Sequence, residues 1–173
     1  MLPARTEPTE DTPIAIRRAG APDLDFIKTL CREVFLVYGS YDRYVDEWFH
    51  ADVVETVVAD IEGAPVGFAM LALYPPAESS ERAVAELLAI AVSREYRSRG
   101  VANALLERCF SLARESSLAV SEIRLSVAEG NARAQRMFAR KGFRILPQKG
   151  IYPAGQRAIL MSMKLQELRS PRA

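Results

Sequence analysis

The sequence has few of the residues that build disulfide frameworks or metal sites. Its 173 residues include two cysteines, Cys31 and Cys109, and one histidine, and they show no spacing typical of metal ligands. Cys109 lies among apolar residues of a helical pattern, which is typical of a buried, reduced thiol. We therefore expect no metal and a cytoplasmic protein.

The chain also lacks an excess of either charge and any long apolar run. It carries 23 Lys and Arg against 22 Asp and Glu, a net charge of +1. Nothing in that balance favours nucleic acid or an anionic membrane as a partner, and no apolar run is long enough to span a bilayer. Any anion site must therefore be formed by a local cluster of residues. The sequence also leaves open whether the protein forms a homodimer.

Length and composition predict one folded domain. With 49% hydrophobic and 26% charged residues, the chain can bury a core of its own. Residues 1–13 are rich in Pro, Thr and Glu without the apolar core of a signal peptide, so they are predicted to form a disordered tail. Residues 14–165 are predicted to form the domain and residues 166–173 a C-terminal tail.

Apolar patterns along this domain alternate between the periods of strands and helices. Strands that alternate with helices, together with one hairpin, predict a mixed sheet covered by helices, an α/β or α+β fold. Strands are predicted over 14–19, 83–92, 122–129 and 157–165, a hairpin over 53–74 with its turn at Glu62–Pro65, and helices over 20–39, 40–50, 101–112 and 130–143.

A basic turn with a single glycine joins the strand 83–92 to the helix 101–112. It reads Arg97-Ser98-Arg99-Gly100-Val101-Ala102. The first N–H groups of a helix lack intrahelical partners and carry the positive end of the dipole, so this geometry favours phosphate. The G-x-x-x-x-G-K-[ST] motif is absent, and a dinucleotide fingerprint needs three glycines. A solvated basic helix start is the alternative.

This turn resembles the [Q/R]-x-x-G-x-[G/A] turn of the GNAT superfamily of N-acetyltransferases. The flanking segments follow in the family's order: ELLAIAVSREYR, ANALLERC, LSVAEGNARAQRMFARKGF and ILMSMKL. The resemblance implies a mostly antiparallel mixed sheet flanked by helices, with a splayed parallel strand pair that holds the cofactor. It also implies transfer of an acetyl group from acetyl-CoA to a primary amine of a small molecule, peptide or protein.

For the cofactor, the resemblance implies that the turn holds the pyrophosphate and that the strand before it binds the pantetheine arm. Backbone N–H groups of the turn would converge on the phosphates, and the small Gly100 and Ala102 would permit close approach. Asn131 matches a family position that contacts the cofactor, and it is explained equally well as a helix N-cap. The implied residues are Ile90, Ala91, Val92, Arg97, Ser98, Arg99, Gly100, Val101, Ala102 and Asn131.

Glu86 is the candidate general base. By alternation it should share a face with Leu88, Ile90 and Val92, whose apolar side chains would raise its pKa toward neutrality. Its spacing to Arg97 also matches the glutamate that serves as base in the histone-acetylating branch, and the resemblance implies that the backbone N–H near Val92 polarises the thioester carbonyl. An ordinary exposed strand-end glutamate is the alternative.

Phe138 departs from the family pattern. Many members carry a tyrosine four residues before the Gly-Phe corner, here Gly142-Phe143, and its hydroxyl protonates the departing thiolate. Phenylalanine cannot do so, which leaves Tyr152 or Tyr74, with Tyr152 as our candidate, or solvent. A non-catalytic acyl-CoA-binding sensor is the alternative function.

The acceptor side is predicted from the aromatic segment 37–50, VYGSYDRYVDEWFH. The resemblance implies that this region lines the acceptor cleft, with Tyr38, Tyr41 and Trp48 as candidate substrate-binding residues. Aromatic rings and carboxylates suit a cationic amine. The alternative is an amphipathic helix with a solvated acidic face.

Overall fold

The computed structural model describes residues 12–76 and 82–165. The predicted tails lie outside the described residues except for Thr12 and Pro13. The strands are β1 Ile14–Arg18, β2 Val54–Ile61, β3 Ala64–Tyr74, β4 Ala83–Val92, β5 Val120–Ala128, β6 Arg144–Ile151 and β7 Arg157–Lys164, and the helices are α1 Leu24–Phe35, α2 Tyr41–His50, α3 Val101–Glu115 and α4 Ala132–Arg140.

The described strands form one mixed sheet in the order β1-β2-β3-β4-β5-β7-β6. Its neighbouring strands pair antiparallel except β4 and β5, which are parallel. A parallel pair needs a crossover connection, and α3 provides it. The predicted fold class, a mostly antiparallel sheet with one parallel pair, is confirmed.

Helices cover both faces of the sheet, so the protein has two apolar cores. One core packs α3 and α4 on the sheet around Leu105, Cys109 and Phe138. The other packs α1 and α2 on the opposite face around Ile27 and Val45. Cys109 is buried as a free thiol, as predicted. No helix within the described ranges has the length and apolar character needed to cross a membrane.

Turn and cap residues explain where several elements begin and end. Glu62 and Gly63 connect β2 to β3 and have φ angles of 52° and 77°, as a two-residue hairpin loop requires. The Asn131 side chain accepts a hydrogen bond of 3.1 Å from the Ala134 N–H and so caps α4. Gly142 follows α4 with a φ of 96°, a conformation that favours glycine.

Strand β6 is the element that the sequence patterns do not predict. It lies at the sheet edge and pairs only with β7 among the described strands. Most of its residues are exposed, and its register with β7 shifts between Ile145 and Lys149 around Pro147. An edge strand that is exposed on both faces carries no apolar alternation, and a proline within it is tolerated there.

Candidate active site

Strands β4 and β5 separate midway along their length. Their parallel ladder runs from the Ala83–Val120 pair to the Leu87–Leu125 pair and ends there. Beyond that point β4 stays paired with β3 as far as Val92, and β5 stays paired with β7. A gap therefore opens between the second halves of the two strands.

The backbone of β4 offers hydrogen-bonding groups to this gap. The Ser93 N–H donates to the Val66 carbonyl across β3 at 2.8 Å. Residues of an antiparallel ladder alternate in the direction of their backbone groups, so Val92 and Ile90 direct theirs away from β3 and into the gap. The Val92 carbonyl accepts a 3.1 Å hydrogen bond from the Arg97 Nε there. The backbone groups of Ala91 face β3.

A β-bulge at Leu88 changes which side chains share a face of β4. Met70 of β3 pairs with Ala89, but the next residue, Leu71, pairs with Leu87, so Leu88 is an additional residue on β4. An extra residue reverses the alternation of the side chains that follow it. Glu86, the candidate base, precedes the bulge, and Ile90 and Val92 follow it.

Glu86 lies on the α1 and α2 side of the sheet. Its partner on β3, Ala72, belongs to the core under those helices, whereas Ile90 and Val92 pack into the core under α3. The expectation that Glu86 shares a face with Ile90 and Val92 is therefore wrong, because the bulge lies between them. Leu88, which packs on the α1 and α2 side, does share its face.

The prediction that burial raises the pKa of Glu86 is nevertheless confirmed in its direction. Half-buried Glu86 has a pKa above its usual range because burial disfavours the carboxylate, while the Arg124 charge opposes that shift. Arg124 is its register partner on β5. Tyr74, whose pKa is also raised, mainly by burial, feels the negative charge of Glu86.

The basic turn has the backbone geometry of an anion site. Ser98 and Gly100 adopt left-handed conformations, with φ angles of 66° and 83°. A Cβ added at Gly100 would meet no protein atom within 4 Å, so the space in front of the turn is open. The first hydrogen bond within α3 joins the Ala104 N–H to the Gly100 carbonyl at 3.0 Å. The N–H groups of residues 101–103 precede that bond.

Helix α4 begins at the same turn, a feature that the sequence reasoning missed. The Arg133 Nη2 donates a 2.8 Å hydrogen bond to the Ser98 hydroxyl, which joins the N-terminal ends of α3 and α4. Two helix dipoles and at least one guanidinium therefore favour negative charge at one place. A signal was present in the sequence, since Arg133 adjoins Ala134 of the Asn-x-x-Ala pattern.

An aromatic cluster around Tyr41 borders the cavity on the α1 and α2 side of the sheet. The Tyr38 and Tyr152 rings lie 4.9 Å apart between centroids, and Tyr41 lies 6.2 Å from Tyr152 and 6.1 Å from Trp48. Gln156 Nε2 donates to the Val37 carbonyl, which ties the β6–β7 turn to the segment before α2. Burial raises the pKa of Tyr41 to about 12 and also raises the pKa of Tyr152.

One cavity of about 1100 Å³ connects these parts. It reaches from the turn, along the gap, to the aromatic cluster and Glu86. Arg99 is not among its lining residues, since its guanidinium lies 5.6 Å over the Tyr96 ring. The other predicted site residues line it: Tyr38, Tyr41, Trp48, Glu86, Ile90, Ala91, Val92, Arg97, Ser98, Gly100, Val101, Ala102, Asn131 and Tyr152.

Phe138 is a packing residue, which is consistent with a side chain that has no hydroxyl group to donate a proton. It is 4% exposed and packs edge to face on Phe143 with ring centroids 5.6 Å apart. Of the two tyrosines proposed as alternatives, Tyr152 lines the cavity and Tyr74 does not. Within 12–76 and 82–165, no group of three or more His, Cys, Asp and Glu side chains could hold a metal ion.

Comparison with known families identifies the chain. Residues 24–143 match the profile of the acetyltransferase (GNAT) family, and the protein belongs to that family. The expected family and enzyme class are thereby confirmed. A search of curated proteins found no significant match.

Solved structures with the same fold include two from Arabidopsis thaliana and one from Salmonella typhimurium. Arabidopsis thaliana NAA60 with a bisubstrate analogue has a TM-score of 0.75 at 17% identity, over 90% of this chain and 99% of that one. Arabidopsis thaliana Naa50 with the bisubstrate analogue CoA-Ac-MVNAL has 0.72 at 20%, over 88% and 99%. Salmonella typhimurium yncA with acetyl-CoA has 0.72 at 17%, over 92% and 98%. At these identities the likeness shows the fold.

Proposed function

We propose that this protein transfers the acetyl group of acetyl-CoA to a primary amine, with the amino terminus of a peptide as the favoured acceptor. The observation that carries the proposal is the cavity along the β4–β5 gap, which reaches from the basic turn to the half-buried carboxylate of Glu86. Acetyl-CoA supplies an acetyl group activated as a thioester. Family membership and the neighbour that holds acetyl-CoA support this donor.

The residues of the gap fit an extended donor. Ile90 presents its N–H and C=O groups, and Val92 its N–H group, on a strand edge that no described strand covers, which suits the amides of a pantetheine arm as in strand addition. At the turn, the first N–H groups of α3 and the guanidinium groups of Arg97 and Arg133 suit a diphosphate. Backbone groups of β4 thus suit the pantetheine arm, and the positive charge at the turn suits the diphosphate.

The acetyl carbonyl would lie near the bulge rather than at the turn. Val92 adjoins the turn that takes the diphosphate, so the thioester end lies farther along the gap, toward Ile90. There the Ile90 N–H can donate to the carbonyl oxygen as negative charge develops on it. This refines the expectation that placed the polarising N–H near Val92.

Glu86 and Tyr152 take the two proton-transfer roles. Glu86 lines the cavity on the acceptor side of the sheet, and its raised pKa suits a base that removes the amine proton, directly or through a water. The hydroxyl of Tyr152, kept protonated by burial, can donate a proton to the departing thiolate sulfur. With Tyr152 in this role, Phe138 does not exclude catalysis.

An apolar rim beside the aromatic cluster supports a peptide acceptor. Leu36 and Val37, just before Tyr38, are 71% and 61% exposed, and Ile151, just before Tyr152, is 76% exposed. Because the Tyr38 and Tyr152 rings are in contact, these side chains border the same mouth. An apolar side chain at the first positions of a peptide would cover them. The Naa50 neighbour was solved with an analogue that carries the peptide MVNAL.

The test is an acceptor panel assayed by mass spectrometry with acetyl-CoA as donor. It contains peptides with apolar, acidic or basic first residues, the same peptides with blocked amino termini, peptides with internal lysine, and small-molecule amines. Acetylation of free amino termini before apolar residues is the expected result. Preference for lysine or small amines would overturn the peptide-terminus assignment, and CoA binding without turnover on any amine would favour the acyl-CoA sensor.

A further inference from the structure

Helix α4 carries a row of arginines along the cavity. Arg133, Arg136 and Arg140 are spaced three and four residues apart, so they lie on one face of the helix. All three are exposed and line the cavity. Arg133 is bound to the Ser98 hydroxyl, but Arg136 and Arg140 form no ion pair with any acidic residue of the described segments.

The row runs away from the diphosphate turn along a groove between two helices. Helices α3 and α4 both begin at the turn, and Lys141 just after α4 binds Glu107 in the second turn of α3 at 2.6 Å. The helices therefore run side by side in the same direction. At a rise of about 1.5 Å per residue, Arg140 lies about 10 Å farther along the axis than Arg133.

These positions add two positive charges along the groove, next to the turn that would take the diphosphate. The chain has a net charge of only +1, yet two arginines that form no ion pair within the described residues line one cavity. An ordinary solvated helix face would not place both of them along a cavity. Arginine forks match the oxygens of a phosphate in a bidentate geometry. The groove is therefore built for a second anion beside the first.

We propose that Arg136 and Arg140 bind the 3′-phosphate of coenzyme A, so that the protein selects 3′-phosphorylated donors over dephosphorylated ones. This inference rests on the proposed function, since it assumes the diphosphate at the turn. A terminal phosphate carries about 1.5 to 2 negative charges at neutral pH and three acceptor oxygens. One ribose separates it from the diphosphate, so it can enter the groove while the diphosphate stays at the N-terminal ends.

The experiment is calorimetric titration of the full chain with CoA and with 3′-dephospho-CoA. We expect the wild-type protein to bind CoA roughly 10- to 100-fold more tightly, as expected for hydrogen bonds between charged groups. In the double variant Arg136→Gln/Arg140→Gln, the affinity for CoA should fall to that for dephospho-CoA, whose own affinity should not change. Arg114→Gln, an exposed arginine near the far end of α3, is the matched control and should behave as wild type.

The outcomes separate this inference from the proposed function. Equal wild-type affinities for the two ligands would overturn the inference while leaving the acetyltransferase proposal intact. Equal losses for both ligands in the double variant would also overturn it, because the arginines would then act on the diphosphate or through their general field. If the wild-type protein binds neither ligand, the proposed function itself fails.

Discussion

Replacing Glu86 with glutamine removes a base from β4 with little change in shape. The residue lies between Ala72 on β3 and Arg124 on β5, and the amide has nearly the volume of the carboxyl. If Glu86 takes the amine proton, kcat at pH 7 should fall by about 10²- to 10⁴-fold. The affinity for CoA should be unchanged, because Glu86 lies far along β4 from the diphosphate turn.

The pH dependence of the Glu86→Gln rate also reports the class of acceptor. At pH 7 a peptide α-amine, with a pKa of about 7.7 to 8.0, is roughly one-tenth neutral, whereas a lysine side chain, with a pKa of about 10.4, is neutral in roughly one molecule per 10³. The part of the loss that reflects a protonated amine should return by about pH 9 for an α-amine. For a lysine acceptor, the recovery of the rate should continue beyond about pH 10.

Stability supplies the control for this variant. Burial raises the pKa of Glu86 in the folded protein, so its ionisation costs folding free energy at pH values above that pKa, and stability increases as the pH falls through it. Glutamine does not ionise, so the variant should be at least as stable as wild type at pH 7, with the difference gone below about pH 4.

The assay pairs kcat between pH 6 and 11 with thermal unfolding. Glu62→Gln, in the exposed β2–β3 loop and outside the cavity lining, should leave both quantities unchanged. A Glu86→Gln enzyme with wild-type rates at every pH would refute the reasoning and make this carboxylate an ordinary strand residue.

Substitutions at three further positions test other parts of the site. Gly100→Glu should abolish CoA binding in a titration. Gly100→Ala introduces the same left-handed backbone strain of about 1 to 2 kcal/mol but should retain CoA binding. Equal binding by both variants would contradict the turn assignment. Phe138→Ala should lower the free energy of unfolding by about 3 to 5 kcal/mol in chemical denaturation, and an unchanged midpoint would contradict its packing role. Tyr152→Phe should lower kcat by about 10²-fold at constant KM for acetyl-CoA, and an unchanged kcat would leave solvent as the proton source.

Features encoded by local residue chemistry were predictable from the sequence. The Glu62-Gly63 loop, the Asn131 cap and the end of α4 at Gly142 each depend on one or two residues whose conformational preferences are strong. The basic turn belongs to the same class, since a strand, a glycine and a helix start within a few residues define its geometry. The motif order then predicted the parallel β4–β5 pair.

Features that depend on pairing between distant segments were not predictable. The bulge at Leu88 is defined by the register of β4 with β3, and no residue type on β4 indicates it. Simple alternation along β4 therefore assigned Glu86 to the wrong face of the sheet. Strand β6 has no apolar period because it lies at the sheet edge. Arg133 adjoins Ala134 of the Asn-x-x-Ala pattern, but only the fold shows that its guanidinium contacts Ser98.

The central claim, that the β4–β5 gap holds acetyl-CoA, is tested most directly by amide hydrogen exchange at single-residue resolution by NMR. Without ligand, the Ala91 amide is protected by its pairing with β3, whereas the amides of Ile90 and Val92 face the gap. Acetyl-CoA should slow exchange at Ile90 and Val92 and in residues 101–103, with little change at Ala91. Saturating acetyl-CoA that leaves these amides unprotected, or protects a different strand, would contradict the account.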